Sequence, residues 1–240
     1  MKGIILAGGT GSRLYPLTKV TNKHLLRVGH EPMIYYPIKK LIQAGISDIL
    51  IVTGVEHMGD VVGLLGSGKE FNCQFTYKVQ DEAGGIAQAL MLAKNFTQGQ
   101  PMTVILGDNI FQDSIARFIQ AYTNGAHILL KEVPDPERFG VATIADNTII
   151  DIQEKPAQPK SNMAVTGVYM YDSDVFNIIE SCAPSARGEL EISDVNAAYL
   201  RMGNISYGIL NGWWSDAGTF ASITKASDLV LKHPINNDLL

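Results

Sequence analysis

The sequence predicts a single α/β domain over residues 1–240, with a mostly parallel, twisted sheet, helices on its faces and added antiparallel strands. Short apolar runs alternate with segments of helical periodicity through the first half of the chain. Near Val141 this alternation gives way to strand patterns joined by short turns. No repeat or linker divides the chain, and a hydrophobic content of 46% suffices for one large core.

The predicted parallel strands are short, apolar and rich in β-branched residues. This pattern is typical of strands that are buried on both faces of a sheet. They lie at residues 3–7, 48–54, 75–80, 103–108 and 127–133.

Two of the intervals between these strands show helical periodicity. The first, residues 32–45, begins at Pro32 and ends at Gly45, which are common helix boundary residues, although Pro37 interrupts it. The second helix is predicted over 86–96. A helix between parallel strands makes a right-handed crossover, so both helices are expected to cover the sheet faces.

The later part of the chain predicts antiparallel strands at one edge of the sheet. Residues 141–156 indicate two strands joined at 145–147, which is a hairpin and not a crossover. Residues 163–172 form a further predicted strand. Helical periodicity returns at 173–182 and 190–203.

Charge and composition exclude several classes of protein. A net charge of −5 argues against nucleic-acid binding, which needs clustered Lys and Arg. Cys73 and Cys182 lack metal-type or disulfide-type spacing and are expected to be buried, reduced thiols. No run approaches the roughly 18 apolar residues that span a bilayer, and the amino-terminal run is too short for a signal peptide. A cytoplasmic protein that binds neither nucleic acid nor membrane is expected.

Four positions lie where predicted strands end, namely Gly8, Gly54, Gln80 and Asp108. In open α/β sheets, ligands bind outside the carboxyl ends of the strands. We therefore expect these positions to converge on one site.

The segment LAGGTGSRLYP, residues 6–16, follows the first predicted strand. It lacks both the GK[ST] sequence of a P-loop and the third glycine of a dinucleotide motif. Its glycines allow several backbone N–H groups to point at one anion, and Arg13 can bind two phosphate oxygens. A plain turn after the strand is the alternative. Lys19 and Lys23 follow, either as further anion ligands or as a solvated basic face.

The segment GGTGSRLYPLTKVTNKHLL resembles the signature of the sugar-phosphate nucleotidylyltransferases, and more closely that of the glucose-1-phosphate thymidylyltransferases. The resemblance continues through VQDEAGGIAQAL, VILGDNIF, DPERFGVA, IQEKP, AVTGVYMYD, ARGELEISD and GWWSDAGT. It implies a Rossmann-like fold of the nucleotide-diphospho-sugar transferase type, with a nucleotide-binding half at 1–135 and a sugar-binding half at 136–240. It also implies Mg²⁺-dependent transfer of a thymidylyl group from dTTP to glucose-1-phosphate, giving dTDP-glucose and pyrophosphate for deoxysugar synthesis.

The resemblance also implies roles for individual residues. The implied catalytic residues are Arg13, Lys23, Asp108 and Lys155. The implied nucleotide-binding residues are Leu6, Ala7, Gly8, Gly9, Thr10, Gly11, Ser12, Arg13, Gln80, Gly85 and Asp108. The implied sugar-phosphate-binding residues are Asn109, Gly140, Glu154, Lys155, Val165, Thr166 and Trp213, and Asp108 and Asp216 are the implied metal ligands.

The implied metal ligands suit the chemistry of Mg²⁺, which commonly takes one or two carboxylates together with substrate phosphates. Asp108 follows a buried strand, where a structural turn is the simpler explanation. Asp216 precedes a helical pattern, where an N-cap is the simpler explanation.

The implied substrate contacts have simpler alternatives too. Gln80 can hydrogen-bond a pyrimidine edge, or it is a surface glutamine at a strand end. Glu154 and Lys155 can bind the sugar hydroxyls and the sugar phosphate, or they form an exposed ion pair. Trp213 stacks at the site or packs in the core. The segment ARGELEISD is mainly scaffold, with Glu189 and Glu191 as candidate contributors to the sugar pocket.

The chain departs from the family pattern in two places. Arg27 stands where family members usually have proline, which puts a flexible cation near the expected site. Gly84 replaces an acidic residue in the base loop, so UTP-dependent or CTP-dependent transfer stays an alternative. Because the sequence ends 24 residues after Asp216, we do not expect the inhibitor site that extra carboxyl-terminal helices form in longer members. A homo-oligomer is expected, and a non-catalytic nucleotide-sugar sensor is the alternative from another class.

Overall fold

The computed structural model describes residues 1–233 and 235, and within them one mixed sheet of nine strands forms the centre of the fold. The strands are β1 Lys2–Ala7, β2 Arg27–Val28, β3 Glu31–Pro32, β4 Asp48–Gly54, β5 Gln74–Gln80, β6 Met102–Leu106, β7 Asn109–Phe111, β8 Ala126–Glu132, β9 Gly140–Ala145, β10 Thr148–Glu154, β11 Met163–Tyr171, β12 Ile205–Ile209 and β13 Trp214–Asp216. The helices are α1 Tyr35–Gln43, α2 Met58–Leu65, α3 Ile86–Met91, α4 Lys94–Thr97, α5 Ala116–Ala121, α6 Val175–Ser181, α7 Ile192–Arg201 and α8 Phe220–Lys232.

The main path of the sheet runs in the order β10-β9-β11-β6-β1-β4-β5. The strands β6, β1, β4 and β5 are mutually parallel, as their apolar sequences predict. The hairpin of β9 and β10 forms the opposite edge, and Asp146 and Asn147 turn between its strands with positive φ. The predicted fold class and the predicted hairpin are therefore confirmed.

Strand β11 lies inside the complete sheet, but β11, β9 and β10 all lie beyond β6, on one side of the four parallel strands, so the prediction that antiparallel strands are added at one edge is confirmed. Strand β11 pairs antiparallel with β6 along one side and with β8 along the other. Strand β8 consequently belongs to the far side of β11, where β12 runs parallel to it. The nine residues of β11 are long enough to serve both neighbours, and its register shifts between Val165 and Tyr169.

Both predicted helices of the first half are present with changed bounds. Pro32 pairs with Arg27 between the short strands β3 and β2, and helix α1 begins three residues later. Pro37 is the third residue of α1, where a backbone N–H has no partner within the helix, so proline costs nothing there. The predicted helix 86–96 divides into α3 and α4, because the turn between them tightens to hydrogen bonds three residues apart.

The core lies in two layers, one on each face of the sheet. Along β1, Ile4 and Leu6 pack on one layer while Ile5 and Ala7 pack on the other, as the two-residue period of a strand requires. Helices α3, α6 and α7 cover the first layer, and α1, α2 and α5 cover the second. A third, smaller cluster lies between α8 and the β2–β3 hairpin.

Some sequence predictions concern positions that the structure places differently. Arg27 lies on β2, where its Nε donates to the carbonyl oxygen of Gly29 at 2.5 Å, and it lines none of the cavities described below. Cys73 is buried as predicted, but Cys182 is only half-buried, and both are free thiols. The last positions of the proposed half 136–240, namely 234 and 236–240, lie outside the described residues. Among the described helices, none is long and apolar enough to cross a bilayer.

Helix α1 carries a buried lysine that ties it to the end of β7. Lys40 is 3% exposed, and its Nζ donates at 2.8 Å to the carbonyl oxygens of Gln112 and Asp113. The ammonium also lies 5.2 Å from the centre of the Phe111 ring. Burial lowers the pKa of Lys40 to about 8, although the nearby Asp113 carboxylate opposes the shift.

This pKa predicts a pH dependence of stability. Between about pH 8 and the ordinary lysine pKa of 10.5, the unfolded chain holds a proton that the folded chain has released. The contribution of Lys40 to the free energy of unfolding therefore rises with pH over this interval, by about 3 kcal/mol in total. Denaturant unfolding of the wild type and of Lys40→Met at pH 7.5 and 10.5 measures it. An equal pH dependence in both proteins contradicts the assignment.

Candidate active site

The carboxyl ends of β1, β5 and β6 surround a cavity of about 270 Å³. Leu6, Gly8, Gly9 and Thr10 line it from the first strand and its loop. Gln80 at the end of β5, Gly85 at the start of α3 and Asp108 after β6 also line it. The predicted convergence at this edge is therefore present, and Gly54 contributes to a neighbouring cavity that also contacts Gly8 and Gln80.

The structure explains why two positions of the loop are glycine. A Cβ on Gly8 would lie 2.5 Å from Oε1 of Gln80, so only glycine lets this side chain approach. Gly11 has a φ of +65°, and a Cβ there would lie 2.7 Å from Cγ2 of Thr18. The loop therefore folds back closely on its neighbours, and its backbone lies open to the cavity at Gly9 and Thr10, which are exposed.

The side chain of Lys23 packs against this loop and pairs with an acidic residue in the turn after β6. Its Nζ lies 2.6 Å from Oδ2 of Asp108, and both side chains are largely buried. Nδ2 of Asn109 also donates to Oδ1 of Asp108 at 3.0 Å. Burial by itself raises the pKa of Asp108, but the Lys23 ammonium and the two hydrogen bonds bring that pKa well below its usual range. Asp108 is therefore a carboxylate at neutral pH.

Asp216 lies beside Asp108 because β13 pairs antiparallel with β7. Asp216 is opposite Asn109 in this pairing, and the backbone N–H of Ala217 donates to the carbonyl oxygen of Asp108 at 2.8 Å. The N-cap of α8 is Thr219, which forms a capping box with Ser222, so the interpretation of Asp216 as the cap is wrong.

Arg13 reaches the same place from the glycine-rich loop. A Cβ on Gly218 would lie 3.0 Å from a terminal nitrogen of Arg13 and 3.7 Å from Oδ2 of Asp108. Burial and the charge of Asp108 raise the pKa of Asp216, while Arg138 and Arg13 oppose that shift. Two carboxylates and two guanidinium groups thus share one small volume.

This donor set fits a hard divalent cation. Asp108 and Asp216 supply oxygen ligands of the kind that Mg²⁺ prefers. Among residues 1–233 and 235 no group of three or more His, Cys, Asp or Glu side chains could hold a metal by itself. A cation here needs further oxygen ligands from outside the chain, which suits an ion that also binds substrate phosphates.

His24 is a residue of the site that sequence reasoning missed. It lines the cavity while being 1% exposed, and its ring lies where a Cβ on Gly107 would clash at 2.6 Å. Burial and the adjacent Lys23 lower the pKa of His24 to about 3, so the ring is neutral at neutral pH. One histidine in the segment NKHLL does not by itself indicate a place in the site.

The predicted sugar-phosphate residues Gly140, Glu154 and Val165 meet in a second cluster. A Cβ on Gly140 would lie 3.4 Å from Oε2 of Glu154 and 3.6 Å from Cβ of Val165. Lys155 is exposed, and its Nζ lies 3.3 Å from Oε1 of Glu154. Ser193, which sequence reasoning missed, donates to Oε2 of Glu154 at 2.5 Å. We call these five residues the acceptor cluster.

Strand β11 connects the acceptor cluster to the carboxylates. Val165 belongs to the cluster, and two residues on, the N–H of Gly167 donates to Oδ1 of Asn109 at 2.8 Å. Tyr169 is buried, and the charges of Glu154 and Asp108 add to the effect of burial in raising its pKa. The acceptor cluster and the carboxylates therefore lie on the same side of the sheet. The residues of β11 that connect them, Val165 and Gly167, are two positions apart.

Two arginines near these groups were also missed. Arg187 lies 2.8 Å from Oε1 of Glu191 and 3.6 Å from Oε1 of Glu154. Arg138 lies 2.5 Å from Asp135 and 3.4 Å from Asp216. Both occur in motifs of the family signature, ARGELEISD and DPERFGVA, which was the available signal.

Other predicted residues lie apart from these groups or are already engaged. Trp213 packs on the small cluster beneath α8, away from the acceptor cluster. The buried hydroxyl of Thr166 donates to the carbonyl oxygen of Leu129 at 2.8 Å, so its hydrogen is not available to a ligand. Oδ1 of Asn109 already accepts from Gly167 and from Nε1 of Trp214.

The remaining predictions concern the loop and the second half of the chain. Four of the predicted nucleotide-binding residues do not line the cavity, namely Ala7, Gly11, Ser12 and Arg13. Glu191 is the buried N-cap residue of α7, where Ser185 and Arg187 donate to it. Glu189 lines the cavity beside Gly85 and is not in the acceptor cluster, so residues beyond 135 also form the candidate nucleotide cavity.

Comparison with known proteins agrees with this arrangement. The family model "Nucleotidyl transferase" matches residues 2–233. A glucose-1-phosphate thymidylyltransferase of Neisseria meningitidis is 45% identical over 237 residues, covering 96% of this chain and 82% of the relative. Another, from Mycobacterium tuberculosis, is 42% identical and covers 96% and 82%.

Solved structures agree as well. A candidate glucose-1-phosphate thymidylyltransferase from Bacillus anthracis, in complex with a sucrose, superposes with a TM-score of 0.93 at 59% identity and covers 98% of this chain and 96% of its own. A UDP-glucose pyrophosphorylase complexed with UDP-glucose superposes with a TM-score of 0.85 at 25% identity, covering 96% and 98%. The chain therefore belongs to the nucleotidyl transferase family and, within it, to the glucose-1-phosphate thymidylyltransferases.

Proposed function

We propose that this protein transfers the thymidylyl group of dTTP to glucose-1-phosphate, giving dTDP-glucose and pyrophosphate. The observation that carries the proposal is the meeting of Arg13, Lys23, Asp108 and Asp216 beside an open glycine-rich loop. This arrangement combines cations for a triphosphate with carboxylates for a divalent ion. Relatives named for this reaction match nearly the whole chain, which supports the substrate assignment.

The nucleotide is assigned to the cavity at the ends of β1, β5 and β6. Backbone N–H groups at Gly9 and Thr10 and the side chain of Lys23, which line this cavity, neutralise the triphosphate together with Arg13, which lies beside Gly218 at its rim. Gln80 and Gly85 then lie at the part of the cavity that takes the base. In this scheme residues 1–135 provide most of the nucleotide site, and 136–240 provide the acceptor cluster.

Enzymes of this family depend in general on a divalent metal. Asp108 and Asp216 are the residues that would hold Mg²⁺ in this protein. When bound, such an ion neutralises phosphate charge and helps to orient the triphosphate.

The reaction needs no nucleophile from the protein. A phosphate oxygen of glucose-1-phosphate attacks the α-phosphorus of dTTP, and the bond to the bridging oxygen breaks as pyrophosphate leaves. Arg13 and Lys23 stabilise the charge on the triphosphate. We assign the attacking phosphate to Lys155 and the sugar hydroxyls to Glu154, an assignment supported by the contact of Glu154 with Gly140 and by the Lys155 ammonium beside Glu154.

A uridylyltransferase is the second candidate, and the likeness to a UDP-glucose pyrophosphorylase favours it. Formation of a homo-oligomer stays a prediction. The exposed apolar side chains of Phe220 and Leu231 on α8 support self-association.

Pyrophosphate release over a panel of nucleoside triphosphates and sugar-1-phosphates tests the proposed function. We expect the largest kcat/KM for dTTP with glucose-1-phosphate, because the relatives that match the chain are named for that pair. A larger value for UTP supports the second candidate. The absence of pyrophosphate release with every pair contradicts both and favours the non-catalytic sensor.

Replacing Lys155 by alanine tests the acceptor side of the site. We expect turnover to fall by about 10²-fold, because one preorganised charge that binds the attacking phosphate is lost. Lys160→Ala is the matched control, since Lys160 is also exposed and also lies beside a carboxylate, that of Asp151. Near-normal turnover in Lys155→Ala, or an equal loss in both variants, contradicts the role of Lys155.

A further inference from the structure

The side-chain amide of Gln80 is held in one orientation at the edge of the candidate nucleotide cavity. An amide carries a donor group at one end and an acceptor oxygen at the other, so its orientation decides which kind of base edge it can bind. Nε2 of Gln80 donates to Oε1 of Gln88 at 2.8 Å and to the carbonyl oxygen of Gly85 at 3.3 Å. The donor end is thereby occupied.

Backbone groups at both ends of this chain of hydrogen bonds fix its direction. The N–H of Gly84 can only donate, and it donates to Oε1 of Gln88 at 3.1 Å. The carbonyl oxygen of Gly85 can only accept, and it accepts from Gln80. Turning either glutamine amide over would place two donors or two acceptors against each other. The orientation of Gln80 therefore follows from Gln88 and the backbone.

The acceptor oxygen of Gln80 is left on the side of the glycine-rich loop. Oε1 lies 2.5 Å from the position that a Cβ on Gly8 would take, and both residues line the cavity. Gln80 thus presents a hydrogen-bond acceptor, and not a donor, to a ligand in the cavity.

We propose that Gln88 determines base specificity by holding Gln80 in this orientation. The inference rests on the proposed function, in which the base lies at Gln80. Thymine and uracil carry an N–H group at N3 that can donate to Oε1 of Gln80. Cytosine has a lone pair at N3, which repels that oxygen. Gln88 is a positioning residue that selects the imide edge of thymine and uracil against cytosine.

Gly84 also contributes to the orientation of Gln80. A Cβ at this position would lie 2.3 Å from Cδ of Gln88, so only glycine leaves room for the Gln88 amide. The N–H of Leu190 also donates to the carbonyl oxygen of Gly84 at 2.8 Å, which holds the loop against the second half of the chain. The first glycine in the segment DEAGG therefore has a structural reason here: it admits Gln88 as the partner that orients Gln80.

Binding of dUTP and dCTP isolates this effect, because the two nucleotides differ only at the N3 and C4 edge of the base. Calorimetric titration gives the dissociation constant of each for the wild type, Gln88→Leu, Gln88→Glu and Gly84→Ala, with dTTP as a reference. We expect the wild type to prefer dUTP. Gln88→Leu and Gly84→Ala should each reduce the preference by about tenfold, the cost of one mismatched buried hydrogen bond.

Two controls separate orientation from folding. Gln88→Glu keeps an acceptor for Gly84 and Gln80 and should keep the preference. Gln120→Leu changes an exposed glutamine on α5 and should change neither constant. A purely structural role of Gln88 moves both dissociation constants together and leaves their ratio unchanged.

The outcomes separate the two proposals. A wild type that binds dTTP and prefers dUTP over dCTP, with an unchanged ratio in both Gln88→Leu and Gly84→Ala, overturns the role of Gln88 while the proposed function stands. A wild type that binds dTTP but does not prefer dUTP over dCTP also overturns it. A wild type that binds neither dTTP nor dUTP overturns the proposed function, and the role of Gln88 with it.

Discussion

The ion pair between Lys23 and Asp108 is the contact on which the candidate site depends. It joins the segment after the glycine-rich loop, which packs against that loop at Gly9, to the turn after β6, with 2.6 Å between Nζ and Oδ2 and little exposure of either side chain. Removal of one partner leaves a buried, unpaired charge, which typically costs about 3 to 5 kcal/mol. The loop, the cation and the carboxylate are therefore held together before any substrate binds.

Two contacts bring residues from the second half of the sequence close to this ion pair. The pairing of β13 with β7 sets Asp216 beside Asp108, and Gly167 of β11 binds Asn109. Because β11 continues to Val165, the acceptor cluster lies on the same strand as the contact to Asn109. A sugar phosphate and a triphosphate can thus be held on one side of one sheet, so that transfer depends on positioning and charge, as expected for phosphoryl chemistry.

The sequence predicts β1, β4, β5, β6 and the carboxyl edge because long apolar runs that end in glycine or polar residues leave few alternatives. It does not predict β7 or β13, since three residues are too few to show a strand period, and their pairing is what places Asp216. Nor does it predict the place of β11, which depends on contacts remote in sequence. The sequence also does not distinguish Trp213 from its neighbour Trp214. Only Trp214 donates a hydrogen bond to Asn109, while Trp213 packs on the small cluster beneath α8.

Direct measurement of metal binding tests the convergence of Asp108 and Asp216, on which the account is centred. Mn²⁺ is titrated in the presence of dTTP and followed by electron paramagnetic resonance, for the wild type, Asp108→Asn, Asp216→Asn and the surface control Asp151→Asn. We predict that each of the first two variants binds Mn²⁺ with dTTP about tenfold more weakly, because a carboxylate ligand is lost, while Asp151→Asn matches the wild type. Wild-type affinity in both Asp108→Asn and Asp216→Asn would contradict the account.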